Sequence, residues 1–107
     1  MDEAGFLTRA DALLADLMAK LDDTVGDLMD VDLEGGVLTI ELDSGGQYVI
    51  NKHAPMKQIW VSSPASGAAH FDFDPDRALW MNGRTGGELI ALLDEEITAA
   101  AGRPSGL

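Results

Sequence analysis

Cysteine is missing altogether from this 107-residue chain. Its absence removes disulfides, thiolate metal sites, cysteine nucleophiles and cluster ligation from the possible chemistry. Bases are scarce: Lys plus Arg is 7 against 19 Asp plus Glu, a formal net charge of −12. Binding a phosphate backbone depends on clustered Lys and Arg, so this balance argues against nucleic acid. It favours cations, basic proteins or solubility for its own sake. No apolar run approaches the roughly 20 residues of a membrane span. The first residues, Met1-Asp2-Glu3-Ala4-Gly5, are acidic and look like neither a secretory signal nor an Arg-rich transit segment. A cytoplasmic chain without membrane contact is the resulting expectation.

What is present is the content of one globular domain. Apolar residues make up 46% of the chain, and a chain of this length hides roughly two thirds of its unfolded surface on folding. The charge is segregated. Residues 1–43 hold 12 acids and 2 bases, residues 44–71 hold Lys52 and Lys57 with no acid, and residues 72–107 hold 7 acids and 3 bases.

Phe6, Ala10, Leu13, Leu14, Leu17 and Leu21 recur at three- and four-residue spacing, which predicts a helix from Phe6 to about Leu21. The period then becomes two. Val31 and Leu33 alternate with acids, Gly35-Gly36 supplies a tight turn, and Leu38, Ile40 and Leu42 alternate in a second strand. A third strand runs through Tyr48 and Ile50 until Pro55. A fourth spans Lys57 to Ser63, a fifth holds Phe71 and Phe73, and Leu79 to Met81 form a short sixth. Thr85-Gly-Gly-Glu88 has capping-box spacing before a second helix through Leu89, Leu92, Leu93 and Ile97. Gly102 and Pro104 end it. The expectation is one domain over 1–107, ordered from about 6 to 101, with a loose tail at 102–107.

Two helices bracketing a run of turn-linked strands predict an α+β two-layer sandwich. Both helices then pack on one face of a five- to six-stranded antiparallel sheet. If Leu38, Ile40, Ile50, Ile59, Val61, Phe71 and Phe73 face the helices, the open face carries Val49, Asn51, Gln58, Trp60, Ser62, His70 and Asp72. Trp60 stands out there. Either a partner meets it or a loop covers it.

The acid-rich stretch contains Asp16, Asp22, Asp23, Asp27, Asp30, Asp32 and Glu34. Carboxylates are hard ligands suited to iron, manganese, calcium or magnesium. The plain alternative is a solvated acidic face. Asp22 and Asp23 fall at a helix C-terminal end, where the dipole disfavours negative charge unless cations compensate. Asp72-Phe-Asp74-Pro-Asp76 fails as a calcium loop because Arg77 stands where glycine is required. His53 and His70 have no metal-ligand spacing, and the serines from Ser62 to Ser66 have no evident base, so no catalytic constellation assembles.

The segment from Gln47 to Gly67, QYVINKHAPMKQIWVSSPASG, closely resembles the central motif of the frataxin/CyaY family. Leu21-Asp22-Asp23, Gly35 to Ile40, His70 to Phe73, Trp80 and the Leu89–Ile97 segment follow in the family's order, so the resemblance spans about residues 6–100. It implies an α-β sandwich and a non-enzymatic, iron-binding accessory protein of iron–sulfur cluster assembly. The implied partners are the cysteine desulfurase and its scaffold protein. The implied ligand is ferrous or ferric iron, weakly held, with no organic cofactor. By motif Asp22, Asp23 and Asp27 match the iron ridge, Asp30 and Asp32 match acids of the first strand, and Asp16 extends the set. Asn51, Lys52, Gln58 and Trp60 match the sheet surface that meets the machinery, with His70 where some relatives carry a base. Met18, Ala19 and Val25 stand where relatives often carry acids, which thins the ridge. The resemblance implies a bacterial cytoplasmic protein, or one of the mitochondrial matrix if a transit segment has been removed. It implies a monomer, with iron storage or ferroxidase action through iron-dependent oligomers as the competing function.

Overall fold

The computed structural model describes residues 1–107. In chain order the elements are helix α1 (Glu3–Val25), strands β1 (Met29–Glu34), β2 (Val37–Leu42) and β3 (Gln47–His53), and a 3-10 turn at Ala54–Met56. Strands β4 (Gln58–Ser63), β5 (Gly67–Asp74) and β6 (Leu79–Met81) and helix α2 (Leu89–Ala101) complete it. All six strands form one antiparallel sheet whose spatial order is the chain order. The α+β two-layer sandwich is therefore as expected, with six strands.

Each boundary has a local cause. Asp2 caps α1 by accepting from Gly5 N at 2.8 Å, so the helix starts three residues before Phe6. Gly35 and Gly36 both take positive φ, +60° and +78°, as a two-residue hairpin turn requires. Pro55 sits in the 3-10 turn after β3, and Lys57 adopts φ 52° before β4 begins.

The expected capping box at α2 does not form. Glu88 is itself the cap and accepts from Ile90 N and Ala91 N. Thr85 instead accepts from Gly87 N inside the preceding turn. Gly86 at φ +74° carries that turn, so the chain only becomes helical at Leu89, four residues after the threonine.

Core and solvent residues follow the two periodicities. Phe6, Ala10, Leu14, Leu17, Leu21 and Val25 of α1 and Leu89, Leu93 and Ile97 of α2 are buried. They meet Leu38, Ile40, Tyr48, Ile50, Ile59, Val61 and Phe71 of the sheet. Trp80 packs edge-on against Phe6 and Phe73, at 5.9 and 5.2 Å between centroids. These contacts fasten the start of α1 to β5 and β6.

Two polar ties complete the helix layer. The first centres on Glu96 of α2, which accepts hydroxyls from Tyr48, Ser63 and Ser66. Ser63 Oγ also accepts from Ala65 N and Ser66 N, shaping the β4–β5 turn. The serine run thus does have a carboxylate beside it. Burial alone would raise the Glu96 carboxyl, but the hydrogen bonds from Ser63, Ser66 and Tyr48 together hold it below the usual range. A depressed carboxylate is a poor base and Ser63 is buried, so the cluster ties α2 to the sheet rather than forming a nucleophile. Burial first, then the Glu96 hydrogen bond and charge, push the Tyr48 phenol up to about 12.

The second tie is the C-terminal segment, which is docked rather than loose. Ser105 is fully buried; its carbonyl accepts from Thr24 Oγ1 at 2.6 Å and its hydroxyl donates to Asp94. Arg103 donates to Thr24 O and pairs with Asp27. The last turn of α1 contains no base of its own, so Arg103 supplies the cation that offsets the dipole and the acids there.

Glu96→Gln should cost about 1–3 kcal/mol near neutral pH, the range for hydrogen bonds to a charged group. A depressed carboxyl stabilises the fold above its unfolded pKa, and this contribution is lost as pH falls through the folded value. The variant's loss should therefore shrink on acidification. Tyr48 has the opposite sense: its contribution is intact below pH 10 and is lost as pH rises toward 12. Denaturant unfolding across pH 3–12 checks both; a Glu96→Gln deficit that does not diminish in acid would contradict the first.

Candidate functional site: an open sheet face and an acidic edge

The sheet face turned away from the helices is not covered by any element of the chain. Cross-strand register sets what it displays. One row runs Val37, Asn51, Trp60, His70, and the next runs Thr39, Val49, Ser62, Ala68. His53 lies opposite Gln58, which lies opposite Asp72. Asn51, Gln58, Trp60 and His70 therefore share one surface, as the alternation required.

Lys52 does not share it. Its position in the register, opposite Ile59, is on the helix side. Its ammonium meets Asp11 of α1 at 2.6 Å, so it bridges the two layers. A period of two cannot put neighbours 51 and 52 on one face.

Trp60 is half-buried by its own neighbours. Its ring stacks on His53 at 3.7 Å and 7° on one side and on His70 at 4.3 Å and 11° on the other. The Trp60 Nε1–H donates to Gln58 Oε1, and Gln58 Nε2 donates to Asp72 Oδ1. His53 is further pinned because its Nδ1 accepts from Met56 N. Both faces of the indole are thus taken, and an approaching molecule meets its edge and the outer faces of two imidazoles. Sequence reasoning missed His53. The signal was available: with Asn51 opposite Trp60, His53 falls on the same face one diagonal away. The two imidazoles flank the indole on opposite sides, which explains why their spacing suits no shared metal.

The acids gather along the β1 edge in two layers. Asp30 and Asp32 are exposed on the open face of β1, and Asp30 lies directly opposite Glu41. Like charges so placed are destabilising. Asp22 and Asp23 are exposed near the end of α1. Two of the six candidates are already paired: Asp16 with Lys20 at 3.1 Å and Asp27 with Arg103 at 3.0 Å. No group of three His, Asp or Glu side chains converges to hold an ion.

The structure is thus an open antiparallel meander backed by two helices, aromatic on its free face and acidic along its first edge. Residues 1–103 match the model of the frataxin-like domain, and the chain belongs to that family. It is 38% identical over 104 residues to the iron-sulfur cluster assembly protein CyaY of Thioalkalivibrio sulfidiphilus, covering 95% of each chain. The frataxin of Psychromonas ingrahamii superposes with a TM-score of 0.84 at 25% identity, over 97% of this chain and 95% of that one. Trimeric yeast frataxin in its ferrous complex gives 0.79 at 37% identity, over 89% of this chain and 87% of that one. No helix is long and apolar enough to cross a membrane.

Because the Trp60 stack stands outside the core, Trp60→Ala should keep the fold. The expected loss is that of two ring contacts, about 1–3 kcal/mol, with an unchanged far-UV circular dichroism spectrum. A variant that fails to fold would place the indole in the core instead.

Proposed function

We propose that this chain is a non-catalytic accessory protein of iron–sulfur cluster assembly. It docks its open sheet face on the cysteine desulfurase–scaffold complex and so modulates sulfur transfer. One observation carries the reading: the outward surface centred on Trp60, braced by stacking and hydrogen bonds, in a chain of this family. A rigid aromatic anchor surrounded by satisfied polar groups is the usual composition of an interface centre. Asn51, Gln58, Trp60, His53 and His70 are the proposed contact residues. Lys52 acts indirectly, by holding α1 against β3.

Iron is the proposed second ligand, held weakly. With no chelating group of three, an ion at the acidic edge is bound by one or two carboxylates and water, and affinity stays modest. Asp22, Asp23, Asp30 and Asp32 are available at once. Asp16 and Asp27 must first give up Lys20 and Arg103. The missing acids at Met18, Ala19 and Val25 act in the same direction. The acidic edge also suits a basic patch on the partner, which speeds and orients encounter. No geometry in the chain favours storage or ferroxidase action over this reading.

Two measurements test it. Adding the purified chain to a desulfurase–scaffold assay should change the rate of sulfur transfer, and a pull-down should retain the complex; no effect in either would refute the docking. Ferrous iron should shift the amides of Asp22, Asp23, Asp30 and Asp32 before the rest, and Arg103→Ala should bring Asp27 into that group. Small uniform shifts would indicate charge screening alone.

A further inference from the structure

The chain has seven Lys and Arg residues, and six of them are engaged. Arg9 lies over the Phe73 ring at 4.6 Å. Lys20, Lys52, Arg77 and Arg103 are ion-paired with Asp16, Asp11, Asp74 and Asp27. Lys57 donates to the Met1 carbonyl. The Arg84 side chain alone has no partner. In a chain carrying −12, an uncommitted guanidinium is unusual, and its surroundings give it a use.

Arg84 lines a cavity of about 490 Å³ beside the Trp60 stack, together with Gln58, His70, Asp72, Asn82 and Thr85. The loop that carries it is held in one shape. Asn82 Oδ1 accepts from Arg84 N at 2.9 Å and Thr85 N at 3.4 Å. The backbone of Asn82 also exchanges hydrogen bonds with Gly86 and Gly87, both at 2.8 Å. His70 also lines the cavity, and its ring is fixed by stacking on Trp60. Thr85 Oγ1 accepts from Gly87 N, which leaves its own proton free to donate. The loop and the His70 ring are thus held in advance, and the Arg84 side chain is what a ligand has to order.

We propose that this cavity receives a carboxylate of the protein partner, bound by Arg84 with help from His70 and Thr85. The inference rests on the docking reading above and names its chemistry. A guanidinium is the side chain best matched to a planar carboxylate. Asp72 is the one acid in the lining, and one of its oxygens is taken by Gln58. A lone carboxylate therefore feels attraction at Arg84 and repulsion at Asp72. Its isolated affinity is weak, on the order of millimolar. Its value lies in orientation. The acidic β1 edge selects a basic patch, and the Arg84 cavity, at the other end of the sheet, selects an acidic group. A partner whose charges run in the reverse sense can dock in one direction only.

The test has two arms. In the first, isotope-labelled chain is titrated with sodium N-acetyl-L-glutamate, with the neutral N-acetyl-L-glutamine as control. Saturable shifts are expected at the Arg84 side chain, Thr85 and His70, absent with the amide and abolished in Arg84→Gln. Unsaturable shifts spread over the chain, or shifts unchanged in Arg84→Gln, would overturn the site. In the second arm, Arg84→Glu should weaken binding of the desulfurase–scaffold complex about tenfold and reduce its salt dependence. Its thermal midpoint should not move, since Arg84 holds nothing. If the wild-type chain binds the complex and Arg84→Glu binds equally well, the partner contact is wrong; saturable binding of the glutamate probe would then assign the cavity to a free carboxylate. A wild-type chain that does not bind the complex at all defeats the functional reading by itself, and the first arm still decides the cavity.

Discussion

Everything in this molecule depends on one constraint. The sheet has six strands with its continuous large apolar set, the buried one, on one face, and there are two helices to cover it. Leu38, Ile40, Tyr48, Ile50, Ile59, Val61 and Phe71 must leave water, and the stripes of α1 and α2 are the only apolar surfaces available to them. Once both helices lie on that side, the other side has nothing left to cover it. The exposed surface is thus a consequence of how the core is built. The same alternation that buries Ile59 and Val61 turns Trp60 outward between them.

Charge is arranged around that constraint. The layers are held together by a few polar ties at their margins: Lys52 to Asp11, the hydroxyls of Tyr48, Ser63 and Ser66 to Glu96, and Arg103 to Asp27. Most of the few bases are used for these or for similar local pairs. Most acids are left facing solvent, and those of β1 and the end of α1 fall along one edge. The −12 of the whole chain is thereby concentrated in part along that edge, while β3 and β4 carry no acid at all. A protein so polarised is suited to meeting a large partner in a fixed orientation and to attracting cations along one margin.

Much of this was legible in the sequence, because period and punctuation are local signals. The fold class, the Gly35-Gly36 hairpin, the short Leu79–Met81 strand and the outward face of Trp60 all follow from spacing and turn chemistry. The misses concern contacts between residues far apart in the chain. Glu96 falls seven residues after Leu89 and three after Leu93, beside the buried stripe of α2, but nothing local announces three hydroxyls arriving from β3, β4 and the turn after β4. Residues 102–107 look like a free end until Thr24 and Asp94 are seen to hold Ser105. Lys52 shares a motif with Asn51, and a motif carries no information about which way each side chain points. The Thr85 spacing suited a capping box, but Gly86 diverted the backbone into a turn and left Glu88 to cap the helix alone.

The central claim is that the open face, not the helix layer, meets the assembly machinery. Cross-saturation from the desulfurase–scaffold complex to the amides of the labelled chain tests it most directly. The account predicts strong attenuation at Asn51, His53, Gln58, Trp60 and His70, and none at Ala91 and Glu95 on the outer side of α2. Attenuation centred on α2, with the strand amides untouched, would contradict it.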